Sequence, residues 1–314
     1  MDRRNGTSRC GETRAAGPAI VATYRELAPP SALSRHVRAF FSFTPGASAP
    51  PRHPVLREVR FAREESFCSP LLADGHVSLS LELGGVCTLG AGWSFGARPR
   101  GGAVGAQRKV GSPSPGGCAE MAGAYLQPGA ALDLIGVPAA ELTDRLVELD
   151  LLWGRGGTDL ADDLAALDET ARLDRLAAVL LGRLDRARVR STGADVAALA
   201  RRVRAAPASA SVRRLAELAG VSRQHLTRTF REAIGVSPKR YCRLARFQAG
   251  LAYAGAGETP RWAEVAAELG YADQSHMIAE FRELSSLTPA MLAAKTWFHP
   301  FILEAQSRAQ RRIG

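Results

Sequence analysis

One pattern is written twice between Ser211 and Ser286, and that duplication constrains the fold more than any other feature of the chain. In the first copy Leu215-Ala-Glu-Leu-Ala-Gly220 runs into Val221-Ser-Arg-Gln-His-Leu-Thr-Arg-Thr-Phe230. Fifty residues later Val265-Ala-Ala-Glu-Leu-Gly270 runs into Tyr271-Ala-Asp-Gln-Ser-His-Met-Ile-Ala-Glu-Phe281. Each copy reads as a short apolar helix, a turn at Gly220 or Gly270, and a second helix closed by Phe230 or Phe281. Glycine supplies the backbone freedom that the turn needs. The pair is a tandem helix-turn-helix.

The second helix of each copy has two faces, because successive residues turn by about 100°. Leu226, Phe230 and Ile234 stack inward, while Gln224, Arg228 and Arg231 fall opposite, flanked by Thr227 and His225. Arg223 stands at the helix start. In the second copy Met277, Phe281 and Leu284 face inward. Ser275, Ile278, Ala279 and Arg282 face outward, with Gln274 at the start and His276 at the flank. An α-helix fits the major groove of B-DNA, where Arg pairs bidentately with guanine and Gln with adenine. The candidate DNA-contacting set is therefore Arg223, Gln224, Thr227, Arg228, Arg231, Gln274, Ser275, His276 and Arg282. His276 also suits a capping or packing role. Ala279 stands where the first copy has Arg228 and offers only apolar contact. Most base reading is thus expected from the first unit, with phosphate contacts and orientation from the second. A plain solvated helix face is the rival explanation, and the repeat in a basic setting weighs against it.

Charge follows the repeat. From Arg190 onward there are 19 basic and 10 acidic residues, leaving 22 basic and 21 acidic in the first 189, out of a net +10. A basic end joined to a neutral remainder points to a polyanion partner. Hydrophobic residues make up 46% and charged residues 23%, an ordinary globular composition, and 314 residues suggest two domains. Cys10, Cys68, Cys87, Cys118 and Cys242 form no CxxC pair, so neither a zinc site nor a disulfide framework is indicated, and idle thiols in a reducing cytoplasm are expected. No apolar run reaches membrane-span length.

Taken in order, residues 1–19 read as a disordered leader. The stretch from Tyr24 to about Pro128 reads as β-rich. Val37–Phe43, Val77–Leu83 and Gly123–Gln127 are strand-like, with Gly75 and Gly84-Gly85 as turn signals and Gly90–Gly117 as loops between short strands. From Pro138 the period becomes helical, with Leu142, Leu146 and Leu149, then Leu160, Leu164 and Leu167, then Leu173, Leu176, Leu180 and Leu184. These predict two or three helices packed on the sheet, with a linker at Arg186–Thr192. A helix over Asp195–Arg204, a cap at Ser211, a long helix over Pro238–Ala254, a cap at Glu258-Thr-Pro260 and a short helix after Thr288-Pro289 complete the second half. The expected class is α+β: a β-rich sensing domain with packed helices (20–188), an all-α domain (189–297) and a tail (298–314).

The region Asp195–Leu292 resembles the DNA-binding domain of AraC/XylS-type transcriptional regulators. The matching marks are Leu215–Ser222, Leu226 with Arg228 and Phe230, Gly235–Tyr241, Arg246-Phe-Gln248, Val265–Tyr271, Asp273–His276, Glu280-Phe-Arg282 and Thr288-Pro289. The resemblance implies seven helices, with two helix-turn-helix units in successive major-groove segments. By position, Gln224, Thr227 and Arg228 match the family's base-contacting places, as do Gln274 and Ser275. Relatives often carry Arg where Ala279 stands. More weakly, Tyr24–Pro30, Ala73–His76, Gln127–Gly129 and Leu134–Pro138 resemble a domain of unknown function found ahead of such DNA-binding domains. The resemblance implies double-stranded DNA and RNA polymerase as partners, a small-molecule effector, a homodimer, a cytoplasmic location and no cofactor.

An enzyme or small-molecule-binding protein centred in the N-terminal half is the alternative. His36, His53 and His76 lack metal-ligand spacing, and neither a G-x-S-x-G elbow nor a P-loop occurs. A protein coating nucleic acid without preference would need a smooth basic surface rather than basic residues on particular helix faces.

Overall fold

Alternating stretches in the first half assemble one antiparallel sheet. The computed structural model describes residues 22–46, 52–61, 75–84, 88–89, 93–94, 100–106, 120–187, 194–254 and 260–293. Within them the strands are β1 (Ala22–Leu27), β2 (Val37–Pro45), β3 (Val55–Phe61), β4 (Ser78–Gly84), β5 (Thr88–Leu89), β6 (Trp93–Ser94), β7 (Arg100–Val104), β8 (Glu120–Leu126) and β9 (Leu146–Glu148). Seven form a sheet in the order β3-β1-β2-β8-β4-β7-β9, and β5 pairs with β6 separately.

The antiparallel register assigns the sheet's two faces, since paired residues project to the same side. Leu27 pairs with Phe40, Phe40 with Ala124, Ala124 with Leu79 and Ala122 with Leu81. This face is apolar and fully buried, and it shares a core with Leu160 and Leu164 of α4 (Arg155–Ala165) and Leu173, Leu176 and Leu180 of α5 (Glu169–Ala187). Arg25 lies on the same side with no exposure, donating to Glu58 and Glu169 at 2.7 Å each, while Ser42 donates to Glu169. A buried guanidinium persists only when paired in this way, so the network ties α5 to the sheet.

The opposite face carries Tyr24, Glu26, Phe41, Ser80, Glu82 and Tyr125 by the same register. Tyr24 donates to Glu26 at 3.0 Å, and the Arg38 guanidinium lies 4.7 Å from the Tyr125 ring centre. Burial, above all, pushes the Tyr24 phenol well above its usual range.

Two sequence expectations need correction here. The helical period read from Pro138 through Leu149 is interrupted. Pro138 caps a four-residue helix α2 (Ala139–Leu142), which follows α1 (Ala131–Leu134), and Leu146 lies on β9, paired with Val104 of β7. Thr143 is extended and Asp144 has φ 54, so the helix cannot continue, and α3 starts only at Leu149 (Leu149–Trp153). The stretch read as loops between short strands does hold one, the five-residue β7, whose Ala103 is fully buried between β4 and β9. Finally, the second unit's cap is Arg261 and makes no side-chain cap bond; Glu258 and Thr259 lie outside the described residues. The leader, the tail and most of the linker also lie outside them.

The second half is all helix: α6 (Ala194–Ala205), α7 (Val212–Ala219), α8 (Arg223–Ile234), α9 (Pro238–Ala254), α10 (Trp262–Glu268), α11 (Gln274–Ser285) and α12 (Pro289–Ala293). Its core gathers Leu226, Phe230 and Ile234 of α8, Leu244, Phe247 and Leu251 of α9, and Met277, Phe281 and Leu284 of α11, each at most 2% exposed. Phe230 meets Tyr241, and Phe247 meets Phe281, edge to face at 5.4 and 4.8 Å. Among the described residues no helix is long and apolar enough to cross a membrane.

Candidate nucleic-acid interface

Local chemistry starts both outer helices where the repeat demands. Ser211 caps α7 by accepting from the Arg214 amide, and Ser222 caps α8 by accepting from the His225 amide, both at 3.2 Å. Asp273 does the same for α11 from the His276 amide at 2.7 Å. Between α7 and α8 the chain turns at Gly220, whose φ of 64° favours glycine. The inward stripe of each helix then fixes its rotation, leaving the polar face outward.

Arg223, Gln224, Arg228 and Arg231 are all exposed, and Thr227 is half-buried. All five line one cleft of about 950 Å³. The Thr227 hydroxyl donates to the Arg223 carbonyl at 2.8 Å, which leaves its oxygen able only to accept. His225 Nδ1 lies 3.4 Å from the Arg228 guanidinium, within reach to accept from it.

The second unit is arranged differently. Gln274, Ser275, His276 and Arg282 are exposed on α11, Ala279 beside them is exposed and Ile278 is half-buried. The structure does not gather these four in one hollow. Only His276 lines the smaller cleft of about 580 Å³, with Ser211, Lys239, Arg243 and Ala279 among its neighbours. The His276 ring stands edge-on to Tyr271 at 5.4 Å, and its Nδ1 accepts from the Ala272 amide at 3.4 Å. Those contacts are a packing and turn-holding role.

Sequence reasoning assigned no role to the group that holds α11 in place. Glu280, only 4% exposed, accepts from Arg243 Nε at 2.6 Å and from the Tyr271 hydroxyl at 2.9 Å, with Arg246 at 3.6 Å. Glu283 pairs with Arg243 and with Arg240 at 2.7 Å. The Arg243 and Arg240 hydrogen bonds hold the Glu283 carboxyl down at about 2. Burial, then Glu280, drive the Tyr271 phenol far upward. The available signal was an acidic residue directly before the buried Phe281, facing a helix with Arg240, Arg243 and Arg246 at successive helical steps.

Comparison with known proteins places these helices in context. Residues 215–295 match the family model described as "Helix-turn-helix domain". Among solved structures, the chain is similar to the C-terminal domain of AraT, a response regulator from Geobacillus stearothermophilus. Identity is 17%, with 35% of this chain and 93% of that one covered and a TM-score of 0.32. It is also similar to ToxT from Vibrio cholerae, at 10% identity over 74% of this chain and 94% of that one, with a TM-score of 0.43. Both scores are too low for an overall fold to follow from them. Among curated proteins there is no significant match.

Proposed function

We propose that the C-terminal region is an AraC-type helix-turn-helix domain and that the protein is, on that ground, a DNA-binding transcriptional regulator. In this reading α8 and α11 enter successive major-groove segments of an asymmetric site. Arg228, Gln224 and Thr227 read base edges, and Arg223 and Arg231 flank them on phosphates or bases. Gln274, Ser275, His276 and Arg282 give the second unit orientation and phosphate contact. The observation that carries the reading is the gathering of Arg223, Gln224, Thr227, Arg228 and Arg231 along one side of a helix whose other side is wholly buried.

Regulators of this type are generally not enzymes, and we assign none of the chemistry to catalysis. We divide the chain near residue 189 into a sensing half and a reading half, working in the cytoplasm as a homodimer that contacts RNA polymerase. A small-molecule effector would act through the sensing half.

Replacing Arg228 with Ala tests the reading. Loss of a bidentate base contact should cost about 1–3 kcal/mol and relax preference at one base pair. The measurement is competition binding with a duplex recovered from a random-sequence pool and its single-base variants. An equal loss on every variant would make Arg228 a phosphate contact and refute its assigned role.

A further inference from the structure

The cleft along the reading face of α8 has a second wall, and that wall belongs to the N-terminal half. Pro138, Ala140 and Glu141 of the α2 region stand across from Arg223, Gln224, Thr227, Arg228 and Arg231. The juxtaposition is held by a built contact. The Thr143 hydroxyl donates to the Gly235 carbonyl at 2.8 Å, at the very end of α8, and lies 3.2 Å from the Ala139 carbonyl. Approach is so close that a Cβ on Gly235 would sit 2.6 Å from Thr143 Oγ1 and 3.0 Å from the Ala139 carbonyl oxygen. Two further contacts broaden the dock. A Cβ on Gly75 would lie 3.2–3.3 Å from Leu244 and Tyr241 of α9. Ala106, fully buried, belongs to the same apolar core as Ile234, Tyr241 and Leu244, and its carbonyl accepts from the Asp144 amide at 3.1 Å.

A helix reading the major groove must have the two phosphate rims of that groove pass on either side of it. The groove is about 12 Å wide and about 8.5 Å deep. On one side of α8 that passage is flanked by Pro138, Ala140 and Glu141 across a cleft of about 950 Å³. The rim passing on the α2 side would also meet the exposed Glu141, a like charge to phosphate.

Resting on the DNA-reading function above, we infer that this arrangement is a closed state. Helix α2 occupies the path of one DNA strand beside α8, Glu141 places a negative charge on the wall of the cleft where a phosphate would pass, and the Thr143–Gly235 contact latches the two halves. DNA and α2 compete for the same side of α8, so apparent affinity is the intrinsic affinity reduced by the fraction of molecules that are open.

The test uses the full chain and two near-isosteric substitutions outside the reading face, Thr143→Val and Glu141→Gln. Random 40-base-pair duplexes are selected in parallel with the wild type and with the double variant, and affinities for the recovered duplex are measured. Thr143→Val should tighten binding about threefold to tenfold, as expected when one hydrogen bond no longer favours the closed state, and Glu141→Gln should tighten it in the same direction by removing a like charge from the path of the phosphates. Hydrogen exchange over residues 138–144 of the wild type should quicken when the duplex is added, because α2 is released. If Thr143→Val leaves affinity unchanged or weakens it, the latch is refuted. Slower exchange over 138–144 on DNA addition would also refute it, since α2 would then be touching the duplex. If Arg228→Ala loses binding while both latch variants match the wild type, only the latch falls. If neither selection enriches a duplex, the DNA-reading proposal fails and this one with it.

Discussion

Glu280 is the place where one atom's change should be felt across the whole second unit. Glu280→Gln keeps shape and volume but removes the charge that Arg243 Nε, Arg246 and the Tyr271 hydroxyl converge on. Breaking a buried ion pair by removing one partner costs about 3–5 kcal/mol when the survivor has nowhere to go. Here the survivors have outlets. Arg243 and Arg246 have side chains 22% and 17% exposed, Arg243 keeps Glu283, and Arg246 keeps its place over the Tyr271 ring at 5.2 Å. The glutamine oxygen can still accept one of the two short bonds, but its amide group then faces a donor. One charged hydrogen bond lost, at about 1.5–3 kcal/mol, with partial relief through Glu283, leads to an expected cost of about 2 kcal/mol. Urea unfolding followed by circular dichroism reads this as a midpoint lowered by about 1 M with an unchanged slope. A double-mutant cycle with Arg243→Met should return a coupling of about 1–2 kcal/mol. A loss under about 0.5 kcal/mol, or additive effects in the cycle, would refute the view that Glu280 ties α11 to α9.

Three further outcomes follow from the same geometry. Glu283 has its carboxyl lowered from an ordinary 4.5 to about 2, so its stabilisation is present above pH 4.5 and is lost as pH falls through about 2. Its side chain is half exposed, so the urea-unfolding gap between wild type and Glu283→Gln should be no more than about 1 kcal/mol at pH 7 and should shrink at pH 3; a gap constant with pH would contradict the pairing. Ser222→Ala removes the cap of α8 and should cost about 1 kcal/mol in the same assay, against almost nothing for Ser222→Asn. Cys242 is 4% exposed and burial raises its thiol to about 11, so peptide mapping after iodoacetamide treatment at pH 8 should find it unmodified until denaturant is added.

The repeat was legible because its information is local. The stripes Leu226, Phe230, Ile234 and Met277, Phe281, Leu284 announce their helices at helical spacing, and both stripes are buried. The bounds expected for α9 coincide with Pro238–Ala254. Elsewhere local pattern misled. Leu142, Leu146 and Leu149 keep helical spacing, yet Leu146 is drawn onto the edge of β7 because strand pairing offers its backbone partners that a helix broken at Asp144 cannot. Arg25 shows nothing in its neighbourhood that foretells full burial, since the two carboxylates that make burial tolerable are 33 and 144 residues away.

By itself, then, the order of residues determined the duplicated helical unit, the direction its basic side chains take and the Ser211 cap that starts α7. These depend on contacts within a few residues along the chain, where spacing alone specifies geometry. Only the tertiary structure decided that Glu280 and Glu283 meet three arginines of α9, and that Thr143 reaches the Gly235 carbonyl 92 residues away to set α2 beside α8. Such pairings arise when separate apolar cores close and bring distant polar groups within bonding distance, and no periodicity in the sequence records that distance.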